Sequence, residues 1–337
     1  MKIVVTGGLG FIGSHTVVEL QQAGFDVVVI DNLSNSSIDV LEGIAKTSGQ
    51  KPLFENIDLR DKVSVQGFFK KYPDVGGVVH FAASKAVGES VENPLLYYEN
   101  NINSLVYLLQ ELQQKKEAHL IFSSSCTVYG QAEQMPITEN APVQLAISPY
   151  GNTKQIGEEI ICDVAKVSSM TAVLLRYFNP IGAHSSAEIG ELPLGVPQNL
   201  VPFITQTAIG LRQELSVFGN DYPTPDGTAI RDYIHVVDLA KSHVVALQRL
   251  IAQENVDKVE IFNIGTGKGS SVLEVITSFE EVSGQKLPYK IVGRREGDVV
   301  TAYANADKAN QVLGWKASLS LKEALESAWR WQQKIRK

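Results

Sequence analysis

Tyr150 is the one tyrosine in this chain with a lysine, Lys154, four positions later. The pair stands in "SPYGNTK", residues 148–154. Ser148 and Pro149 read as a helix start, with serine as the cap and proline at the first helical position. Tyr150 and Lys154 then lie one turn apart on one face. A neutral tyrosine is a poor base, with a reference pKa of about 10. An ammonium about 5 Å away, at an effective dielectric of about 20, supplies roughly 3 kcal/mol, or about two pKa units. The positive end of the helix pushes the same way. The expectation is a phenol that exchanges a proton with a substrate hydroxyl near neutral pH. Taken alone, the same spacing also describes a packed tyrosine beside a solvated lysine, so the rest of the chain has to decide.

Two further features favour chemistry. Ser125 closes the apolar run "HLIFSSS", which places it at the strand edge where α/β sheets bind ligands. Near the N-terminus, "TGGLGFIG" offers Gly8, Gly10 and Gly13 for a G-x-G-x-x-G spacing, and Gly7, Gly10 and Gly13 for the wider G-x-x-G-x-x-G. A glycine motif alone is weak. This one follows a strand-like run and opens a helical one, and Asp31 ends the next apolar run 24 positions after Gly7. That is the context of a dinucleotide site: glycines admit the pyrophosphate to a helix N-terminus, and an acidic residue meets a ribose. Asp31 suits a 2′-hydroxyl and repels a 2′-phosphate, and no arginine follows in "DNLSNSS", so NAD is expected over NADP.

The elements that position these residues are legible as alternation. "KIVVTG", "DVVVID", "PLFENID", "GGVVHFAA", "HLIFSSS" and "TAVLLRYFN" read as strands, with helical patterns between them, including a long one over 94–116. Strands that are apolar throughout and separated by helices predict a doubly wound parallel sheet of the α/β class. Ser125, Tyr150 and Lys154 then converge at its ligand edge. After Asn179 the chain becomes rich in Gly, Pro and Ser, and a smaller mixed α/β substrate lobe follows. The expected division is 1–180 for the dinucleotide domain, with returns to it near 235–264, and 181–337 for the substrate domain.

Composition agrees. The chain has 337 residues, 44% of them hydrophobic, and a net charge of −7. That is enough for a large core, and the acidic balance argues against nucleic-acid binding. The two cysteines, Cys126 and Cys162, form no disulfide framework, which fits a reducing cytoplasm. Neither a signal peptide nor a membrane-spanning run is expected. The six histidines show no metal-ligand spacing, so no metal is expected.

With "TGGLGFIG", Ser125 and Tyr150-x-x-x-Lys154 in place, the chain resembles the extended short-chain dehydrogenase/reductase family from end to end, on a Rossmann fold. "DNLSNS", "HFAASKAVGESVENPLLYYENN", "FSSSCTVYG", "LLRYFNPIGAH", "FGNDYPTPDGTAIRDYIHVVDLA" and "RREGD" point within it to its NAD-dependent sugar-nucleotide 4-epimerases. The resemblance implies reversible C4 inversion of a UDP-hexose through a 4-keto intermediate, with hydride passing transiently to tightly bound NAD. It also implies a homodimer. It places Phe11 and Ile12 over the pyrophosphate. Asp31, Asn32, Leu33, Ser34, Asn35 and Ser36 surround the adenosine ribose, and Asp58 and Leu59 meet the adenine. Phe81, Ala82, Ala83 and Lys85 line the cofactor, with Asn100 and Phe178 completing its site. Ser125 and Tyr150 reach both ligands, and Lys154 the cofactor. For the UDP-sugar it points to Lys85, Asn179, Asn199, Leu200, Phe218, Arg231, Arg295 and Asp298. Ala302 falls on the wall of the hexose pocket, where a small residue accompanies acceptance of N-acetylated UDP-sugars.

Rival readings are weighed on the same residues. A sugar-nucleotide 4,6-dehydratase needs carboxylates after the fifth strand, where this chain has Ser125-Cys126-Thr127. A non-catalytic NAD-sensing protein is disfavoured by the intact Tyr150 and Lys154. "GTGKGSS" at 265–271 resembles a phosphate loop but reads better as a turn. His80 and His235 read as satisfied core residues, and Cys126 as a small buried one.

Overall fold

The computed structural model describes residues 1–295 and 297–335; Glu296 of the "RREGD" stretch, Arg336 and Lys337 lie outside the described residues. Its first half alternates strand and helix. The strands are β1 (Lys2–Thr6), β2 (Asp26–Asp31), β3 (Leu53–Asn56), β4 (Val75–His80), β5 (His119–Ser125) and β6 (Thr171–Tyr177). The helices between them are α1 (Phe11–Gln22), α2 (Val40–Ser48), α3 (Lys62–Lys71), α4 (Val87–Glu92), α5 (Pro94–Tyr98), α6 (Ser104–Leu112) and α7 (Pro149–Val167). The second half holds β7 (Asn179–Ile181), α8 (Leu200–Ala208), β8 (Leu215–Phe218), β9 (Ile230–Arg231), β10 (Tyr233–His235), α9 (Val236–Ile251) and β11 (Val259–Ile264). It ends with β12 (Ser270–Ser271), α10 (Val272–Ser283), β13 (Tyr289–Val292), β14 (Thr301–Ala302), α11 (Asp307–Val312) and α12 (Leu321–Ile335).

The main sheet has seven strands in the order β11-β6-β5-β4-β1-β2-β3, and every pairing in it is parallel. The order reverses between β1 and β4, so the ligand crevice opens at their carboxyl ends. Alternation within each strand feeds two cores. Ile3, Val5, Val27 and Val29 face one, with α1, α2 and α9; Val4, Val28 and Ile30 face the other, with α3, α6 and α7.

The long helix expected over 94–116 is not one helix. α5 ends at Tyr98, a wide π turn covers Glu99–Asn103, and α6 begins at Ser104. The extra residue turns Asn101 inward, where it clamps the loop after β4. Its Oδ1 accepts from Ser84 N at 2.8 Å, and its Nδ2 donates to Ser84 O and to Thr153 Oγ1 of α7, both at 3.0 Å. Inserted π turns of this kind recur at functional sites.

A third core, built from α8, α10, α12, β8 and β10, forms the second lobe. The chain crosses between lobes more often than the sequence suggests. α9 and β11 return to the first core, as does α11 with Trp315, a segment not foreseen as returning. Trp315 Nε1 donates to Asp238 O of α9 at 2.9 Å, and the Asp238 carboxylate binds Ser318 and Leu319. Among the described residues, no helix is long and apolar enough to cross a membrane.

Candidate active site

The glycine turn joins β1 to α1 at the crevice. Gly7 has φ +64°, and a Cβ there would lie 2.8 Å from Ala82 N. A Cβ at Gly13 would collide with the Gly7 carbonyl and lie 2.8 Å from Gly8 Cα. Gly10, the N-cap of α1, offers no side-chain cap, so the first-turn N–H groups around Phe11 and Ile12 point out uncapped. This is a cradle for an anion at the positive end of a helix. Asp31 ends β2, 8% exposed. It accepts from Leu9 N at 3.1 Å, Leu33 N at 3.0 Å and Ser36 Oγ at 2.8 Å, which ties the glycine loop to the segment expected to hold a ribose. Ser34 Oγ donates to Asn32, whose amide reaches Asp58 at 3.3 Å; Asn35 is exposed. Arg60, 2.6 Å from Asp58, holds that carboxyl down to about 2, and Leu59 is buried beside it. Past β4, Ala82 N donates to Thr6 Oγ1 at 3.3 Å, the Phe81 ring lies 4.8 Å from that of His243, and Ala83 continues the wall. Asn100 in the π turn donates to Ser84 Oγ at 3.1 Å, and Phe178 is buried after β6. A narrow glycine cradle with an acid at the ribose position and small residues opposite fits NAD.

Ser125 is the last residue of β5, and Ser148 caps α7 by accepting from Gly151 N at 3.1 Å, with Pro149 at its first position. The Ser125 hydroxyl sits beside the Tyr150 phenol and pulls its pKa down, but burial dominates and pushes it up to about 12. This reverses the expected lowering. Lys154 donates to Ser123 O at 2.7 Å and lies 5.9 Å from the Tyr150 ring centroid and 5.0 Å from that of Phe122. Burial also drives Lys154 down to about 8, with Glu158 pulling the other way. The loss of water around the phenol outweighs a lysine whose own charge is penalised.

The second lobe brings other expected residues together. Arg231, at the end of β9, and Arg295 share the Asp298 carboxylate at 3.4 and 2.9 Å. Arg295 lies 5.7 Å above the Phe218 ring. Asn179 starts β7, bonding back to Asp232 O at 2.9 Å; Asn199 and Leu200 open α8. Ala302 in β14 is buried against Phe178, Tyr129 and Val128.

Some decisive residues were missed. Asp232 is buried and fills the "GTGKGSS" turn, accepting from Thr266 N at 2.9 Å, Gly267 N at 3.1 Å and Thr266 Oγ1 at 2.6 Å. A carboxylate of the chain occupies the place a phosphate would need. Glu158 pairs with Arg176 at 2.6 Å and with Ser124, one residue before Ser125; Arg176 reaches Tyr129 at 2.9 Å. The i, i+4 step from Lys154 to Glu158 was the available signal. His80 bonds Thr6 Oγ1 at 2.7 Å and His235 accepts from Val237 N at 3.1 Å, as core residues do. Burial pushes the Cys126 thiol up to about 11, the wrong direction for a nucleophile.

The chain is similar to known proteins over nearly its whole length. A family model described as GDP-mannose 4,6 dehydratase matches residues 4–328. The UDP-glucose 4-epimerase of Bacillus subtilis (strain 168) is 48% identical over 98% of this chain and 97% of its own. Among crystal structures, UDP-glucose-4-epimerase from Stenotrophomonas maltophila, with bound NAD and formylated UDP-arabinopyranose, is 46% identical, with a TM-score of 0.95 over 100% of this chain and 99% of that one. The enzyme from Bifidobacterium longum, in complex with NAD+ and UDP, is 45% identical, with a TM-score of 0.94 over the same shares.

Proposed function

The chain belongs to the UDP-glucose 4-epimerases of the extended short-chain dehydrogenase/reductase family, and from that premise we propose how its residues perform reversible C4 inversion of UDP-glucose and UDP-galactose through a 4-keto sugar. When bound, NAD would supply reversible hydride acceptance at C4 and a positive ring charge. Gly7, Gly10 and Gly13 with Phe11 and Ile12 would hold its pyrophosphate, and Asp31 its ribose. The chain's own chemistry is proton handling. Tyr150 takes the proton of the 4-hydroxyl and later returns it, with Ser125 in the path. Lys154, fixed by Ser123 O, sets the electrostatics beneath the phenol. Arg231 and Arg295 grip the diphosphate by forked hydrogen bonds and Asp298 the uridine ribose, while the hexose stays loose enough to turn about its diphosphate link.

The observation that carries this reading is the convergence of Ser125, at the end of β5, with Tyr150, in the first turn of α7, at the edge of the sheet where β1 also ends in the glycine turn. The matched family model is named for a dehydratase. The turn Cys126–Tyr129 after β5 has no carboxylate to eliminate water, which favours epimerisation. The test is incubation with UDP-galactose without added NAD. UDP-glucose should appear, and its absence from NAD-containing protein would remove the assignment.

A homodimer is proposed as well. Val87 and Val91, one turn apart on α4, stand 44% and 62% exposed, and Leu95 on the next helix, α5, 80%; these exposed apolar side chains suit a second copy. Leu95→Glu should shift the mass measured by light scattering from two chains to one. The free thiols Cys126 and Cys162 support a cytoplasmic location.

A further inference from the structure

Glu191 lies in the Gly/Pro-rich crossing after β7, outside every motif used so far. Its side chain is 12% exposed. Its Oε1 accepts from Asn199 Nδ2 at 2.6 Å and faces the Lys85 ammonium at 3.5 Å. Its backbone is fixed: the carbonyl accepts from Trp331 Nε1 at 2.9 Å, and the adjacent Gly190 lies so close to the Trp331 ring that a Cβ would come within 2.5 Å. Lys85 belongs to the loop after β4, and Asn199 to the start of α8. One rigidly held carboxylate therefore joins a loop of the first lobe to a helix of the second.

Asn199 sharpens the point. It has the extended backbone of an N-cap, φ −89° and ψ 147°, and is a preferred capping residue, yet its side chain caps nothing. It goes to Glu191 instead, in a short charge-assisted bond. Arg231 and Arg295 are paired with Asp298 in the same manner. The cations assigned to the sugar nucleotide thus already hold carboxylates of this chain.

We propose that Glu191 is a resident counter-ion, which holds Lys85 and Asn199 in the unliganded cleft and yields them to the diphosphate of the incoming sugar nucleotide. The proposal rests on the sugar-nucleotide roles of Lys85 and Asn199 in the reading above. A diphosphate carries more charge than one carboxylate and accepts at several oxygens, so it takes the ammonium. Glu191 acts by competing with it for Lys85. Glu191 touches no reacting atom; it is a positioning residue whose charge weakens capture and leaves the chemical step alone. Lys85 is half-exposed, so solvent screens the pair and the effect is modest.

Glu191→Gln keeps the shape and the acceptor for Asn199 and removes the charge. The NAD-containing protein is assayed for kcat and KM with UDP-galactose and for the Kd of UDP. At low salt, KM and Kd should each fall about threefold with kcat unchanged, and the gain should fade in about 0.5 M salt. In a Lys85→Ala background the same substitution should change neither constant. A structural role predicts weaker binding, so a rise in KM, or no change, overturns the proposal. A gain that survives without Lys85 also overturns it. A native protein that neither binds UDP nor converts UDP-galactose overturns the functional reading and this proposal with it, whereas failure in Glu191→Gln alone leaves that reading standing.

Discussion

Burial drives Tyr150 and Lys154 the same way, each towards its neutral form: the phenol up to about 12, the ammonium down to about 8. The chain alone therefore does not supply a ready base, and proton exchange at Tyr150 depends on positive charge brought in with the ligands. Tyr150→Phe should lower turnover by roughly 100- to 10,000-fold, the usual worth of a positioned acid–base group, with NAD and UDP binding retained. Near-native turnover in that variant would take tyrosine out of the mechanism. Lys154 carries a cost in the folded state. A fall from 10.5 to about 8 corresponds to about 3 kcal/mol against folding. Both states are protonated below pH 8, so the cost is full there. Between about 8 and 10.5 only the folded state loses its proton, and the cost drains away. Lys154→Met should raise the unfolding temperature of NAD-free protein by a few degrees at pH 7, less the lost bond to Ser123 O, while kcat falls. The advantage should vanish as pH nears 10.5. A difference that persists there would show that desolvation of the ammonium is not its source.

The elements carrying these residues were legible where the signal is local. β1, the glycine turn, α1 and β2 follow from apolar runs punctuated by Gly7 to Gly13, and the start of α7 from Ser148 and Pro149. What stayed hidden depends on partners far along the chain. The π turn at Glu99–Asn103 exists with Asn101 bonded to Ser84 and Thr153, and Asp232 closes a turn thirty-four residues away. No window of sequence contains such pairs. The glycine turn yields a controlled comparison. Gly13→Ala drives a Cβ into backbone atoms of Gly7 and Gly8 and should give protein that loses its nucleotide. Gly24→Ala, at φ +85° with nothing within 4 Å, should cost about 1 kcal/mol of stability and keep it. Mass spectrometry of the ligand released from native protein should identify NAD, since Asp31 presents a carboxylate engaged by Leu9, Leu33 and Ser36 and, among the described residues, by no cation. NADP as the main species would overturn that role for Asp31.

At the scale of the whole molecule, the hexose pocket is proposed to lie where the lobes meet, with wall residues from both. Ala302 comes from the second lobe, in a strand paired with Arg231, and packs with Ala304 on Val128, Tyr129 and Phe178 of the first. Alternation sends the next side chain the other way: the Tyr303 ring lies against Gly269, where a Cβ would stand 3.3 Å from it. Tyr303 therefore does not fill the space left by Ala302, and at the proposed pocket wall a methyl group stands next to Phe178. A 2-acetamido group is larger than a hydroxyl by several atoms, so its acceptance is a steric threshold that one wall residue can set. A clash of that size costs roughly 1–3 kcal/mol, or about 5- to 150-fold in kcat/KM. The native protein should convert both UDP-galactose and UDP-N-acetylgalactosamine. Ala302→Tyr should lose activity on the N-acetylated sugar by that factor and largely keep it on the plain one. Parallel losses on both sugars would mean that the new ring disturbs the Tyr129–Phe178 packing and not the pocket. A native enzyme confined to the plain sugar would mean that Ala302 does not set the pocket's width.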